Sequence, residues 1–190
     1  MAFEKEGNNI DPEFPKLIDQ YNKWRSIYSY AGQPAGDEPL WEHGRLHFRY
    51  GYPLEGWTAY IIEPKDNGYE VLRTTTERHS ESSESLMAFF TNIEDAGKYI
   101  IWYTGDNLRT KCHLDPIEWV WADAGLDPRV RQISLDKFVS KFELKDDPNR
   151  YFVLQAGGVQ PENHLLPLTY DELDTLLLGG MPASITSHLT

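Results

Sequence analysis

The run from Arg45 to Thr75 constrains the fold more than any other part of the chain. Arg45-Leu46-His47-Phe48-Arg49-Tyr50 sets Leu46, Phe48 and Tyr50 on one side and Arg45, His47 and Arg49 on the other, the period-two signature of a half-buried strand. Trp57-Thr58-Ala59-Tyr60-Ile61-Ile62 and Tyr69-Glu70-Val71-Leu72-Arg73-Thr74-Thr75 follow, both rich in aromatic and β-branched residues. The links at 51–56 and 64–68 carry glycine, proline and Asn67-Gly68. They are too short for a parallel crossover, so the three strands are antiparallel neighbours with one face in water. A short strand at Leu40-Trp41 and a fourth at Ser85 to Phe90 are expected to extend the meander.

The remaining periodicity is helical and supplies the cover. Leu17, Ile18, Tyr21, Trp24, Ile27 and Tyr28 recur at helical spacing between Pro15 and Gly32, an amphipathic helix whose aromatic stripe packs on the sheet. Thr91-Asn92-Ile93-Glu94 has the form of a capping box with Thr91 as the cap. It opens a helix with Ile93, Ala96, Ile100 and Tyr103 on one face, ending at Gly105-Asp106-Asn107, in which Gly97 suits close approach by a neighbour. Asp115-Pro116 reads as a cap and first-turn proline for a short helix through Ile117, Trp119, Val120 and Trp121 up to Gly125. Leu135, Phe138, Val139 and Phe142 suggest another short helix leading into residues 142–145. A turn at Asp146-Asp147-Pro148-Asn149 then forms a hairpin with the strand at Tyr151 to Gln155, and Thr169-x-x-Glu172 caps a last helix through Leu173, Leu176 and Leu177. The fold class expected is α+β: an antiparallel β-meander sheet covered by an N-terminal amphipathic helix and further helices.

A chain of 190 residues closes one core. The division expected is a flexible or cloning-derived lead at 1–14, a single domain at 15–182 and a tail at 183–190. No basic-then-apolar leader opens the sequence and Cys112 is the single cysteine, so a reducing cytoplasm is the expected setting. With 30 acidic against 18 basic side chains the net charge is −12. That charge repels phosphate backbones and anionic membranes, so neither nucleic acid nor a membrane is an expected partner; it is read in two ways, as a means of keeping the chain dispersed and nothing more, or as steering toward a basic protein partner.

Concentrated chemistry is missing from the pattern. His43 and His47 are four apart, but Gly44 and strand alternation separate them from a helical zinc motif. Cys112-His113 are adjacent, which does not help a nucleophile pair meet in space, and Gly157-Gly158 lacks the glycine and lysine of a phosphate loop. The carboxylates Asp146-Asp147, or Glu63 with Glu70, do not make a hydrolytic pair without geometry. The chain is therefore expected to have no metal and no cofactor, and to be no enzyme. An aromatic-rich sheet with acidic loops is the profile of a protein-binding module. The surface expected to bind is Gln33, Asp37 and Glu38, with Glu42, Glu55 and Trp57, because acidic groups around an aromatic anchor make a hot spot with a charged rim; ordinary loop solvation is the competing account. Two rivals are a small cytoplasmic hydrolase, built for example on His47, Arg49 and Glu63, and a scaffold that binds several proteins.

Several stretches carry a family resemblance. Trp41-Glu42-His43-Gly44, Gly56-Trp57 at a strand start, Asn67-Gly68-Tyr69-Glu70-Val71-Leu72-Arg73 and Phe89-Phe90-Thr91-Asn92-Ile93-Glu94-Asp95-Ala96-Gly97-Lys98-Tyr99 resemble the immunity proteins of bacterial polymorphic-toxin systems. They look most like the family numbered sixty-one, which includes the antitoxin of the tuberculosis necrotizing toxin. Leu168-Thr169-Tyr170-Asp171-Glu172-Leu173 and Gly180-Met181-Pro182 extend the likeness, which spans residues 15–182. The resemblance implies an α+β protein that is a monomer when free and forms a heterodimer with a cognate secreted toxin domain. It would plug the toxin's active-site cleft without chemistry of its own, and the toxin would be an NAD glycohydrolase.

Overall fold

The computed structural model describes residues 14–76 and 83–189. The expected lead up to residue 13, and residues 77–82 of the serine-acid loop after the meander, lie outside them. The architecture is α+β: eight antiparallel strands in one open sheet, with the first helix at the N-terminal end. In chain order the elements are α1 (Pro15–Tyr30), β1 (Leu40–Glu42), β2 (Arg45–Tyr50), β3 (Thr58–Lys65), β4 (Gly68–Thr75) and β5 (Ser83–Phe90). Then come α2 (Ile93–Lys111), α3 (Ile117–Ala124), β6 (Val130–Asp136), β7 (Val139–Leu144), β8 (Tyr151–Leu154), a 3-10 turn at Pro161–Leu165, α4 (Tyr170–Leu178) and α5 (Ala183–Thr186).

The sheet order is β1-β2-β3-β4-β5-β8-β7-β6. The meander accounts for its first five strands, and the closing hairpins join it where Ala88, Phe89 and Phe90 of β5 pair with Leu154, Val153 and Phe152 of β8. Register places Phe48, Tyr60 and Arg73 side by side across β2, β3 and β4 on the face that meets the helices. Arg45, His47 and Arg49 point to the other side.

The helix face buries Trp24, Tyr99, Trp102, Phe90, Phe142 and Phe152 with Leu46 and Ile62. α1 behaves as expected: Leu17, Tyr21, Trp24, Ile27 and Tyr28 are all buried. Close packing on α2 depends on its glycines, since a Cβ on Gly97 would run into the Tyr170 hydroxyl and one on Gly105 into Leu177. The Thr169 and Glu172 capping box at α4 forms in full.

Five expectations are corrected. The cap of α2 is Asn92, whose side chain accepts from the Glu94 N–H, while the Thr91 hydroxyl exchanges hydrogen bonds with the Tyr151 backbone and ties the helix start to β8. The same helix runs through Gly105 to Lys111, because Leu177 packs against the glycine. Residues 130–144 form the β6–β7 hairpin and not a helix: Leu135 and Phe138, which made the spacing look helical, stand in solvent at its tip. The stretch from Ala183 expected to be a tail forms α5 and places Ile185 in the core, and Phe14, assigned to the lead, is fully buried against Trp41 and Tyr69.

Candidate functional site

Arg49, near the end of β2, organises the loops expected to make contact. Alternation sends its side chain to the outer face, where Nη2 donates to Glu42 Oε2 at 2.7 Å. Its guanidinium lies over the Tyr52 ring, 4.6 Å from the centroid, and Tyr52 meets Trp57 edge-to-face at 5.3 Å. The Arg49 carbonyl accepts from the Asp37 N–H at 2.8 Å. Arg25 on α1 holds the other side of that loop, donating from Nε to the Gly36 carbonyl at 3.0 Å and facing Glu38 at 3.7 Å. Trp57 is anchored in turn, since its carbonyl accepts from the Thr76 N–H.

Glu42, Asp37 and Trp57 are thus brought to one rim around Arg49, with Glu38 beside it at Arg25. Gln33 lies at the C-terminal end of α1, its N–H bonded to the Tyr28 carbonyl, and Glu55 is exposed at the tip of the loop before Trp57. Arg49, Tyr52 and Arg25 were missed as parts of this rim. The signal available for Arg49 was its outward position in β2 directly before a turn, which brings the turn's aromatics back over it.

Behind the rim a cavity of about 530 Å³ opens between the sheet and α2. Its floor is Phe48, Tyr50, Thr58, Tyr60 and Arg73; its roof is Ile100, Tyr103, Thr104, Asp106, Asn107 and Thr110. Tyr21 and Tyr28 close one side, Pro116 and Glu118 the other, and Gly36 and Gly56 belong to the rim loops. A Cβ on Gly36 would collide with the Tyr21 hydroxyl, so glycine is what lets the loop sit against this wall. Burial pushes the Tyr21 phenol up to about 12, and burial likewise raises Tyr28, Tyr60 and Tyr103, so all four stay neutral at physiological pH.

The similarity found in comparison is structural. The fold resembles that of Rv3902c from M. tuberculosis. That solved structure superposes with a TM-score of 0.56 over 86% of this chain and 87% of its own, at 14% sequence identity. No protein-family model and no curated protein matches the chain.

The outer face of the sheet carries the residues of the hydrolase rival. Arg45 bridges Glu63 at 2.6 Å and Glu84 at 2.9 Å, and Lys65 bridges Glu63 at 2.7 Å and Glu70 at 3.2 Å. His47 stands beside them with its pKa lowered, by burial first and then by Arg49. His47, Arg49 and Glu63 therefore share a face, but it is the one opposite the cavity. Among the described residues no group of three or more histidine, cysteine and acidic side chains converges as metal ligands, and no helix is long and apolar enough to cross a membrane.

Proposed function

We propose that the chain is an immunity protein that captures a cognate bacterial toxin domain and covers its active-site cleft. The observation that carries this reading is the fold likeness over 86% of the chain to a protein of M. tuberculosis, the organism whose necrotizing-toxin antitoxin belongs to the family that the sequence resembles. The rim around Arg49 supports it. Glu42, Asp37 and Trp57 are held by hydrogen bonds and ring contacts before any partner arrives, which lowers the ordering cost of binding. A net charge of −12 speeds encounter with a basic surface. In this reading the toxin is an NAD glycohydrolase, the complex is a one-to-one heterodimer in the cytoplasm, and the immunity protein contributes no catalytic group.

The test is co-expression with the C-terminal domain of the toxin encoded beside the gene. Survival of the cells together with co-purification of the two proteins is expected. Survival without a complex would overturn direct inhibition, and death despite expression of the immunity protein would overturn the assignment.

A further inference from the structure

The cavity behind the rim contains an arginine whose charge no acidic group among the described residues pairs. Arg73 projects from β4 into it beside Tyr60, its register partner on β3. Its Nε is shut off from solvent and has no hydrogen-bond partner, and the guanidinium makes no ion pair among the described residues. Withdrawing part of a guanidinium from water without a partner is costly, and such a group is a strong, planar anchor for a carboxylate. Arg73 also lies close enough to Tyr60 and Tyr103 to act on both phenols electrostatically, so the cation and the aromatic pair belong to one site. Those two rings pack on each other, 5.3 Å apart and inclined at 31°, and so form one continuous aromatic surface. The volume of about 530 Å³ falls within the range of small-molecule sites, roughly 300–1,000 Å³.

We propose that this cavity binds a small aromatic carboxylate, with the guanidinium of Arg73 holding the carboxylate and the joined Tyr60 and Tyr103 surface lying along one side of the ring. Two carboxylates also line the cavity: that of Asp106 is engaged by Trp102 Nε1 and by the Ile117 and Glu118 N–H groups, while Glu118 stands exposed at the edge. Glu118 sets the charge of the guest, so that a single negative charge is accepted and a doubly charged phosphate ester is repelled. The site is distinct from the proposed toxin contact, because none of Gln33, Asp37, Glu38, Glu42, Glu55 and Trp57 lines the cavity.

Benzoate, phenyl phosphate and benzyl alcohol, titrated into the full chain, test this by protein-observed NMR with the arginine Nε–H resonances as the reporter. Benzoate is expected to move the Arg73 Nε–H signal, to bind better than either of the other two, and to bind about tenfold or more weakly to Arg73→Gln. Glu118→Gln, at an exposed position, is expected to bind benzoate more tightly, and this arm serves if Arg73→Gln does not fold. No benzoate binding by the natively folded chain, equal binding by a folded Arg73→Gln, or unchanged binding by Glu118→Gln would overturn the proposal. Tighter binding of phenyl phosphate than of benzoate would overturn the assignment of a singly charged carboxylate.

Discussion

Lys98 Nζ lies 2.8 Å from Asp95 Oδ1, one turn apart on α2, with both side chains closed to solvent. Each is held by more than the other. Asp95 accepts two hydrogen bonds from Arg150 at 2.7 Å each, while Lys98 donates to the Leu165 carbonyl at 2.6 Å and to those of Leu166 and Leu168. The cluster ties α2 to the turn after β7 and to the 3-10 segment that leads into α4. Burial lowers the Lys98 pKa and the Asp95 charge opposes that shift, so the pair survives as a unit. Removing one member leaves the other buried charge without its counter-ion on α2, at a cost of about 3–5 kcal/mol. Asp95→Ala is therefore expected to lose that much stability in urea denaturation, and Asp95→Ala/Lys98→Met much less than the sum of its single changes. Additive losses would mean that the two groups do not act together.

Asp106 takes over a capping role that its neighbours in sequence do not fill. Its Oδ1 accepts from the Ile117 N–H at 2.7 Å and its Oδ2 from the Glu118 N–H at 2.9 Å, so a side chain of α2 caps α3 in place of the Asp115 expected to do so. The Oδ2 atom also accepts from Trp102 Nε1 at 3.1 Å. Asp106→Ala is expected to cost about 2 kcal/mol and to speed hydrogen exchange at Ile117 and Glu118 more than elsewhere. Asp115→Ala is expected to leave both amides protected.

Glu162, in the 3-10 turn, has its carboxyl pKa raised by burial, and its Oε2 has no hydrogen-bond partner. A carboxyl raised in the folded state stabilises below its unfolded pKa of about 4.3, and this contribution is lost as pH rises through the folded value. At neutral pH its ionisation opposes folding. Glu162→Gln is expected to raise the melting temperature at pH 7.5 and to change it little at pH 4. The same gain at both pH values would show that the charge is not the cause.

Trp57 and the acids around it affect different steps if this rim meets the toxin. Trp57→Ala is expected to raise the dissociation rate, with a loss of about 2 kcal/mol, because a half-buried aromatic anchor sets residence time. Asp37→Lys with Glu38→Lys is expected to slow association and flatten its salt dependence, with dissociation nearly unchanged. Surface plasmon resonance at two ionic strengths separates the two effects. Wild-type kinetics in both variants would move the contact away from this rim.

The sequence by itself determined the elements whose signals are local. Alternation and short polar links made β2, β3 and β4 legible, because pleating sets the face of every second residue whatever lies around it. The stripe of α1 and the Thr169 and Glu172 box were legible for the same reason: their spacing is the geometry of the helix itself. The tertiary structure alone decided whether Leu135 and Phe138 mark a core face or a hairpin tip, and whether Gly105 ends a helix or receives Leu177. It also decided that Asp106 caps a helix eleven residues away and that Arg73 faces α2 across a cavity. Each of these depends on which strand or helix comes alongside. That outcome is fixed by burial and pairing summed over the whole chain, and no window of neighbouring residues contains it.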